Sequence, residues 1–299
     1  MPPTAEHPPN DVSSDVPNDA RARFGARLRP NSTDRADLLS AANAAADAAR
    51  VAALRHFRRV DLDAEDKGGA AGYDPVTQGD RETEAVIRAV LAKRRPGDAI
   101  QGEEHDDTDG DSGVTWVIDP IDGTRSYMSG APTWGVLIAA ADADGPVVGL
   151  IDQPHIGERY VGDLFDDASA GAFYFRGADK RRLRTRACAR IEDAVLFTTF
   201  PEIGSAQERA AFERVKARAK LTRYGLDCYA YALLAAGHID LVIEAGLQAY
   251  DVQALMPVIQ AAGGIITGWD GGDCRNGGRI LAAGDPALHA QAMALLADA

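Results

Sequence analysis

The sequence predicts a layered α/β protein in two halves, an α+β half over residues 34–184 and an α/β half over 185–299. Three observations predict it. Leu38, Leu39, Ala42, Ala45, Ala46, Ala49 and Ala53 recur at helical spacing. Short β-prone runs between 114 and 162 are joined by tight connections around Gly145 and Gly157, which suits helices packed on a largely antiparallel sheet. From about residue 185 strands and helices alternate, which suits a second layered unit.

Residues 1–33 are rich in Pro, Asp, Asn and Ser and poor in apolar residues. Such a segment buries too little surface to offset its ordering entropy, so a disordered tail is expected. The first helix begins near Asp34, with Ser32, Thr33 or Asp34 as its cap. A second covers 81–93 and stops before Pro96, because the residue preceding proline disfavours the helical conformation. Ala99-Ile100 leads into Gly102-Glu103-Glu104. The run 114–118 is a strand ending at Asp119-Pro120, and 135–141, 146–151 and 158–162 are further strands. The basic cluster at 180–184 reads as a solvated hairpin. Beyond it come a strand at 194–200, a helix at 207–220, an apolar helix at 228–236 and a strand at 240–244. A helix at 251–262 ends on Gly263-Gly264, where glycine accepts the left-handed conformation. Strands at 264–267 and 279–283 and a helix from Pro286 complete the chain.

Composition narrows the function. Lys plus Arg number 32 against 45 Asp plus Glu, a formal net charge of −13 that repels nucleic acid and anionic lipid. It does not repel a small phosphate ester, because bound cations invert the local sign of a site. The three cysteines, Cys188, Cys228 and Cys274, form no CxxC pair and no zinc spacing, and fit reduced thiols that fill space. No targeting signal is visible, and no run approaches the ~18 apolar residues of a membrane span, so a cytoplasmic protein is expected. The histidines form no HxxxH or HExxH pair. Ser126 and Ser129 lack a nucleophile-elbow context, and GxGxxG and Walker loops are absent.

What remains is a set of acids at element ends. An apolar run ends in Asp119, Asp122 follows three residues later, and Gly123-Thr124 opens a new segment. Two carboxylates this close repel, which raises a pKa or costs stability. A hard divalent cation turns the repulsion into binding, and Mg²⁺ takes carboxylate oxygens. The amides of Gly123 and Thr124 then face a phosphate. Each acid also has a plainer reading: an Asx-turn for Asp119 and Asp122, a solvated loop for Glu103, and helix N-caps for Asp80 and Asp251. A shared metal centre accounts for all of them at once, because open α/β folds gather ligands at element ends.

Asp74-x-Val76-Thr77-x-x-Asp80, Gly102-Glu103-Glu104, Asp119-Pro120-Ile121-Asp122-Gly123-Thr124 and Tyr250-Asp251 before Gly263-Gly264 together resemble the inositol monophosphatase superfamily over about residues 36–297. One departure is Tyr250, where the family usually has Trp. The resemblance implies a sugar-phosphatase-like αβαβα sandwich, Mg²⁺-dependent and lithium-sensitive phosphate-monoester hydrolysis, and a homodimer. It assigns one Mg²⁺ to Glu103, Asp119 and the Ile121 carbonyl, and a second to Asp119, Asp122 and Asp251. A third, weaker ion is implied near Asp80 and Glu103. It also makes Thr124, backed by Asp80, the residue that bonds the attacking water. Lys67 resembles a family lysine near the metal loop, although a Gly-rich stretch separates it from Asp80.

Within the superfamily, the segments 129–135, 149–154 and 223–231 are similar to bacterial histidinol-phosphatases. The substrate expected is therefore a small phosphorylated metabolite, L-histidinol phosphate in histidine biosynthesis. Inositol phosphate or a 3′-phosphonucleotide is the alternative, and a non-catalytic regulatory protein that kept the fold is the remote one. Asp227 and Glu244 are the candidate substrate contacts. Glu244 lies seven residues before Asp251, matching the family's substrate-contacting glutamate, and Asp227 brings a charge where inositol phosphatases usually have a small neutral residue. The competing role for Asp227 is an N-cap for the helix at Cys228.

Overall fold

The computed structural model describes residues 32–60, 62, 64–68 and 75–297; residues 1–31 of the tail expected over 1–33, and Asp74, lie outside the described residues, while Ser32 and Thr33 belong to the first helix. The first half opens with α1 (Ser32–His56) and a small antiparallel pair, β1 (Ala64–Asp66) and β2 (Pro75–Thr77). Then comes α2 (Gln78–Arg94). Its large sheet has seven strands in order: β3 (Ala99–Gly102), β4 (Thr115–Asp122), β5 (Gly135–Asp142), β6 (Gly145–Gln153), β7 (Glu158–Asp163), β8 (Ala172–Arg176) and β9 (Asp179–Arg182). All neighbours are antiparallel except β3 and β4. A one-turn helix, α3 (Thr124–Met128), follows β4.

The second half supplies β10 (Val195–Thr198), α4 (Ala206–Lys216), β11 (Leu221–Tyr224), α5 (Cys228–Ala235), β12 (Leu241–Leu247), α6 (Ala249–Val252), α7 (Leu255–Ala261), β13 (Ile265–Gly268), β14 (Gly278–Ala283) and α8 (Pro286–Leu296). Its five-stranded sheet runs β11-β10-β12-β14-β13 and is mixed, parallel around β10 and antiparallel around β14.

The apolar packing defines five layers. On one face of the large sheet, Leu38, Ala42, Ala49 and Leu91 of α1 and α2 pack against Trp116, Ile118 and Ile138. On its other face, Val117, Leu137 and Ile151 meet Tyr231, Leu234, Leu255 and Val258 of α5 and α7, which in turn cover Val242, Ile266 and Ile280 of the second sheet. Phe212, Leu288 and Leu296 of α4 and α8 close the far side on Leu196, Ile243 and Leu281. This is the αβαβα sandwich that the resemblance implied.

Three expectations change. Strand β4 does not stop at residue 118 but continues through Pro120 to Asp122, with an irregular register between Asp119 and Asp122. Proline is admitted there because a bulge removes the need for its missing N–H. The helix expected over 251–262 is two pieces, α6 and α7. Pro257 has no N–H for the Gln253 carbonyl four residues earlier, so the helix breaks there. Helix α4 ends at Lys216 rather than 220, and the edge strand β11 follows it. Its sequence, Leu-Thr-Arg-Tyr, carries no apolar alternation by which to read it.

Candidate active site

The bulge in β4 aims two carboxylates from one strand end. Asp119 is 2% exposed, and its Oδ1 accepts the Ile121 N–H at 3.0 Å, the Asx-turn that its sequence also allowed. Asp122 reaches across the interlayer space, where its Oδ2 accepts the Cys228 N–H at 2.6 Å. Asp251 arrives on α6, and oxygens of Asp119, Asp122 and Asp251 lie within 4.8 Å of one another. The expectation that Asp251 opens a long helix is corrected: it is the third residue of a four-residue turn, and its Oδ2 accepts the Gln248 N–H at 2.6 Å.

Asp80 is fully buried at the first turn of α2. It is not the N-cap; Thr77 is, and Asp80 closes a capping box with it, Oδ2 accepting the Thr77 N–H at 2.8 Å and the Thr77 hydroxyl at 2.5 Å. Its other oxygen lies 3.3 Å from Thr124 Oγ1, which is also 3.2 Å from the Ile121 carbonyl. One carboxylate therefore anchors a helix and backs a hydroxyl at the site. Glu103, just past β3, accepts Lys67 Nζ at 2.8 Å, and the same ammonium reaches Glu104 at 2.7 Å. Lys67, left open by the sequence, is thus joined to the Glu103 edge of the cluster.

Charge dominates the electrostatics. Burial, then Glu103, Asp122, Asp251 and Asp80, push Asp119 well above the usual carboxylate range. Asp122 is raised too, by burial and then by Asp227 and Asp251, against the Cys228 hydrogen bond. Burial lifts Glu103 to about 7, although Lys67 opposes it, and lifts Asp80 to about 6, against the Thr77 hydrogen bonds. Burial works against the Lys67 ammonium, but Glu103 and Glu104 overcome it and hold the pKa above its ordinary value. Hard oxygen donors crowded until they resist ionisation are the donor chemistry that suits a small divalent cation.

Beside this cluster lies Asp227. Its backbone sits at φ 48°, ψ −140°, a left-handed conformation that side-chain-bearing residues rarely adopt. Its side chain does not cap α5; Asp122 does, through Cys228. Asp227 Oδ2 instead accepts the Ser126 hydroxyl at 2.7 Å. Gly123 (φ 90°) has to lack a side chain here, since a Cβ would lie 2.8 Å from the Asp227 carboxylate. Glu244 is 5% exposed and accepts Thr199 N at 2.8 Å, Thr199 Oγ1 at 2.9 Å and Thr198 Oγ1 at 3.2 Å. Burial first, and the field of Asp227 among lesser causes, raise it to about 7 despite the threonine bonds. Ser126 serves Asp227, and its place two residues after Thr124, on the same turn, is the sequence signal for that role.

The chain thus gathers a cluster of hard acids between the two sheets of an αβαβα sandwich, beside a threonine hydroxyl backed by a buried aspartate. The inositol monophosphatase family matches residues 34–299, and the chain belongs to that family. It is 38% identical over 262 residues to a chloroplastic bifunctional phosphatase of Arabidopsis thaliana, covering 84% of this chain and 72% of that one. It is 34% identical over 275 residues to a histidinol-phosphatase of Streptomyces coelicolor, covering 88% and 98%. Among solved structures, an inositol monophosphatase from Zymomonas mobilis superposes with a TM-score of 0.75 at 34% identity, covering 89% of this chain and 99% of that one. Among the described residues no helix is long and apolar enough to cross a membrane.

Proposed function

We propose that this phosphatase is Mg²⁺-dependent and hydrolyses L-histidinol phosphate to L-histidinol and phosphate. Asp119, Asp122 and Asp251, with Glu103 and the Ile121 carbonyl, would hold two ions, and Asp80 with Glu103 would support a third. When bound, Mg²⁺ would supply Lewis-acid charge at the phosphate and a more acidic water. Thr124 Oγ1, which donates to Asp80 Oδ1 at 3.3 Å, would orient the attacking water; the proton that the water loses to Thr124 Oγ1 would be matched by the threonine's own proton moving to Asp80 Oδ1. A carboxyl held near pH 6 is suited to take and return a proton around neutrality. The amides of Gly123 and Thr124 meet the phosphate oxygens.

Asp227 carries the substrate reading. A carboxylate in a strained backbone, fixed by Ser126 and excluded from capping its own helix, is held for something outside the fold's own hydrogen bonds. Burial raises its pKa, with Ser126 and Arg125 opposing, so a cationic partner is what restores its full charge. The ammonium of histidinol phosphate is such a partner, with Glu244 close enough to add its field. Both activities named among the relatives, on histidinol phosphate and on inositol phosphate, are compatible with the metal cluster; only the first would use the Asp227 charge.

Asp227→Asn is expected to lower kcat/KM for histidinol phosphate by a charge-assisted hydrogen bond, ~1.5–3 kcal/mol or about 10- to 150-fold. Glycerol phosphate hydrolysis should hardly change. Equal losses on both substrates, or on neither, would overturn the histidinol assignment.

A further inference from the structure

The Gly-Glu-Glu segment delivers Glu103 to the cluster from a loop, and a loop by itself does not hold a ligand in place. A pair of charged side chains on α2 does. Glu84 lies one turn beyond Asp80 on the same helix and is fully buried. Its Oε2 accepts the Glu104 N–H at 2.7 Å, and its Oε1 accepts the His105 N–H at 3.2 Å. The two peptide groups that follow Glu103 therefore both point at one carboxylate. A further turn along, Arg88 completes the grip. Its Nε donates to Glu84 Oε1 at 2.7 Å, one terminal nitrogen donates to the His105 carbonyl at 3.1 Å, and the other to Thr108 Oγ1 at 3.2 Å. The glycine of the segment belongs to the same device: a Cβ on Gly102 would lie 2.1 Å from Glu84 Oε1.

We infer that Glu84, braced by Arg88, is the positioning residue for Glu103: it fixes the loop so that the Glu103 carboxylate is preset for the cation. This rests on the Mg²⁺-dependent reading of the site. The helix that carries Asp80 thereby sets two parts of the centre, Asp80 directly and Glu103 through the loop. A buried carboxylate receiving two amides and a guanidinium is a strong, geometrically specific clamp. Residues that orient metal ligands in this way typically account for 10- to 100-fold in metal affinity.

The test is a Mg²⁺ titration of the full chain, read by calorimetry and by the rise in melting temperature, on wild type, Glu84→Gln, Glu103→Gln and the double variant. Glutamine keeps the size of Glu84 but turns an N–H donor toward an amide donor and removes the charge. Glu84→Gln should weaken Mg²⁺ binding by about tenfold or more, with kcat largely recovered at saturating Mg²⁺. In the Glu103→Gln background the same change should add little, because there is no longer a ligand carboxylate to position. A folded Glu84→Gln with wild-type Mg²⁺ affinity, or one whose loss is undiminished in the Glu103→Gln background, overturns the inference. If Glu103→Gln itself leaves Mg²⁺ binding unchanged, the metal reading fails instead. Arg88→Gln loosens the loop from its other side and serves if Glu84→Gln does not fold; a smaller shift of the same sign is expected, and unchanged affinity overturns the inference.

Discussion

Asp152, Asp163 and Asp240 are buried as deeply as Asp119, but each is met by arginine. Asp152 receives Arg50 through two nitrogens at 3.0 and 2.6 Å and Arg159 at 2.7 Å. Arg35 grips Asp163 through two nitrogens, each at 2.8 Å, and Arg186 grips Asp240 through two at 2.6 Å, with the Val195 N–H adding a third bond to Asp240 at 2.8 Å. At the cluster the neighbours of Asp119 that set its charge are other acids. The same chemical group is thus used in opposite ways. Paired carboxylates tie α1 to the large sheet and the segment before β10 to the second sheet. Crowded ones hold unfavourable electrostatic energy in the free protein, to be released when positive charge arrives. Removing a charge should therefore have opposite consequences for stability in the two regions.

The largest effect is expected at Asp119. Asp119→Asn should cut Mg²⁺-supported turnover by several kcal/mol in the barrier, roughly three orders of magnitude. The same variant, melted in EDTA, should be at least as stable as wild type because it relieves repulsion. A clear drop in that melting temperature would place Asp119 with the paired acids and break the contrast.

Asp152→Asn should behave the other way. It leaves half-buried Arg50 without its counter-charge and Arg159 with only the exposed Asp47, 2.8 Å away, and breaking a buried pair costs about 3–5 kcal/mol. Arg50 is 30% exposed, so the lower end applies, read as a shift in the urea midpoint. Turnover per folded molecule should stay near wild type. A neutral outcome in urea would show that Asp152 is not needed as a charge.

Glu244 sharpens the comparison because threonines rather than arginines hold it. Its folded pKa, about 7, lies above the ordinary glutamate value of 4.5. A raised pKa means that its favourable contribution is fully present below about pH 4.5 and is lost as pH rises through about 7. The wild-type protein should therefore lose some 2–3 kcal/mol of stability over that window from this group. Asp227 faces the same carboxyl and helps keep the neutral form favoured. Glu244→Gln should lack that component, so the difference between variant and wild type, followed by denaturation at pH 5 and pH 7.5, should change by this amount. A constant difference across pH would mean that Glu244 stays ionised throughout.

Several of these features were legible in the chain. The alanine-rich periodicity from Leu38 to Ala53 is helix α1, and the apolar run ahead of Asp119 is strand β4, because local spacing alone decides which face is buried. Edge elements were harder. Strand β11 carries no alternating apolar pattern, and the break between α6 and α7 turns on one missing N–H at Pro257. Lys67 could not be placed from its sequence position, because only the fold brings its ammonium to Glu103 and Glu104.

The sequence by itself determined the inventory of the site: acids at element ends, a threonine after the second aspartate, and an extra charge at Asp227. Those are covalent facts whose chemistry survives any arrangement. The tertiary structure decided which competing hydrogen bond each acid makes. Asp122, not Asp227, caps α5; Asp80 serves a capping box and Thr124 together; and Glu84, an unremarked helix residue in the sequence, grips the loop beside Glu103. A carboxylate has several partners within local reach, and the choice among them is made by the packing of the layers, which brings distant backbone amides within 3 Å of some oxygens and leaves others facing like charge.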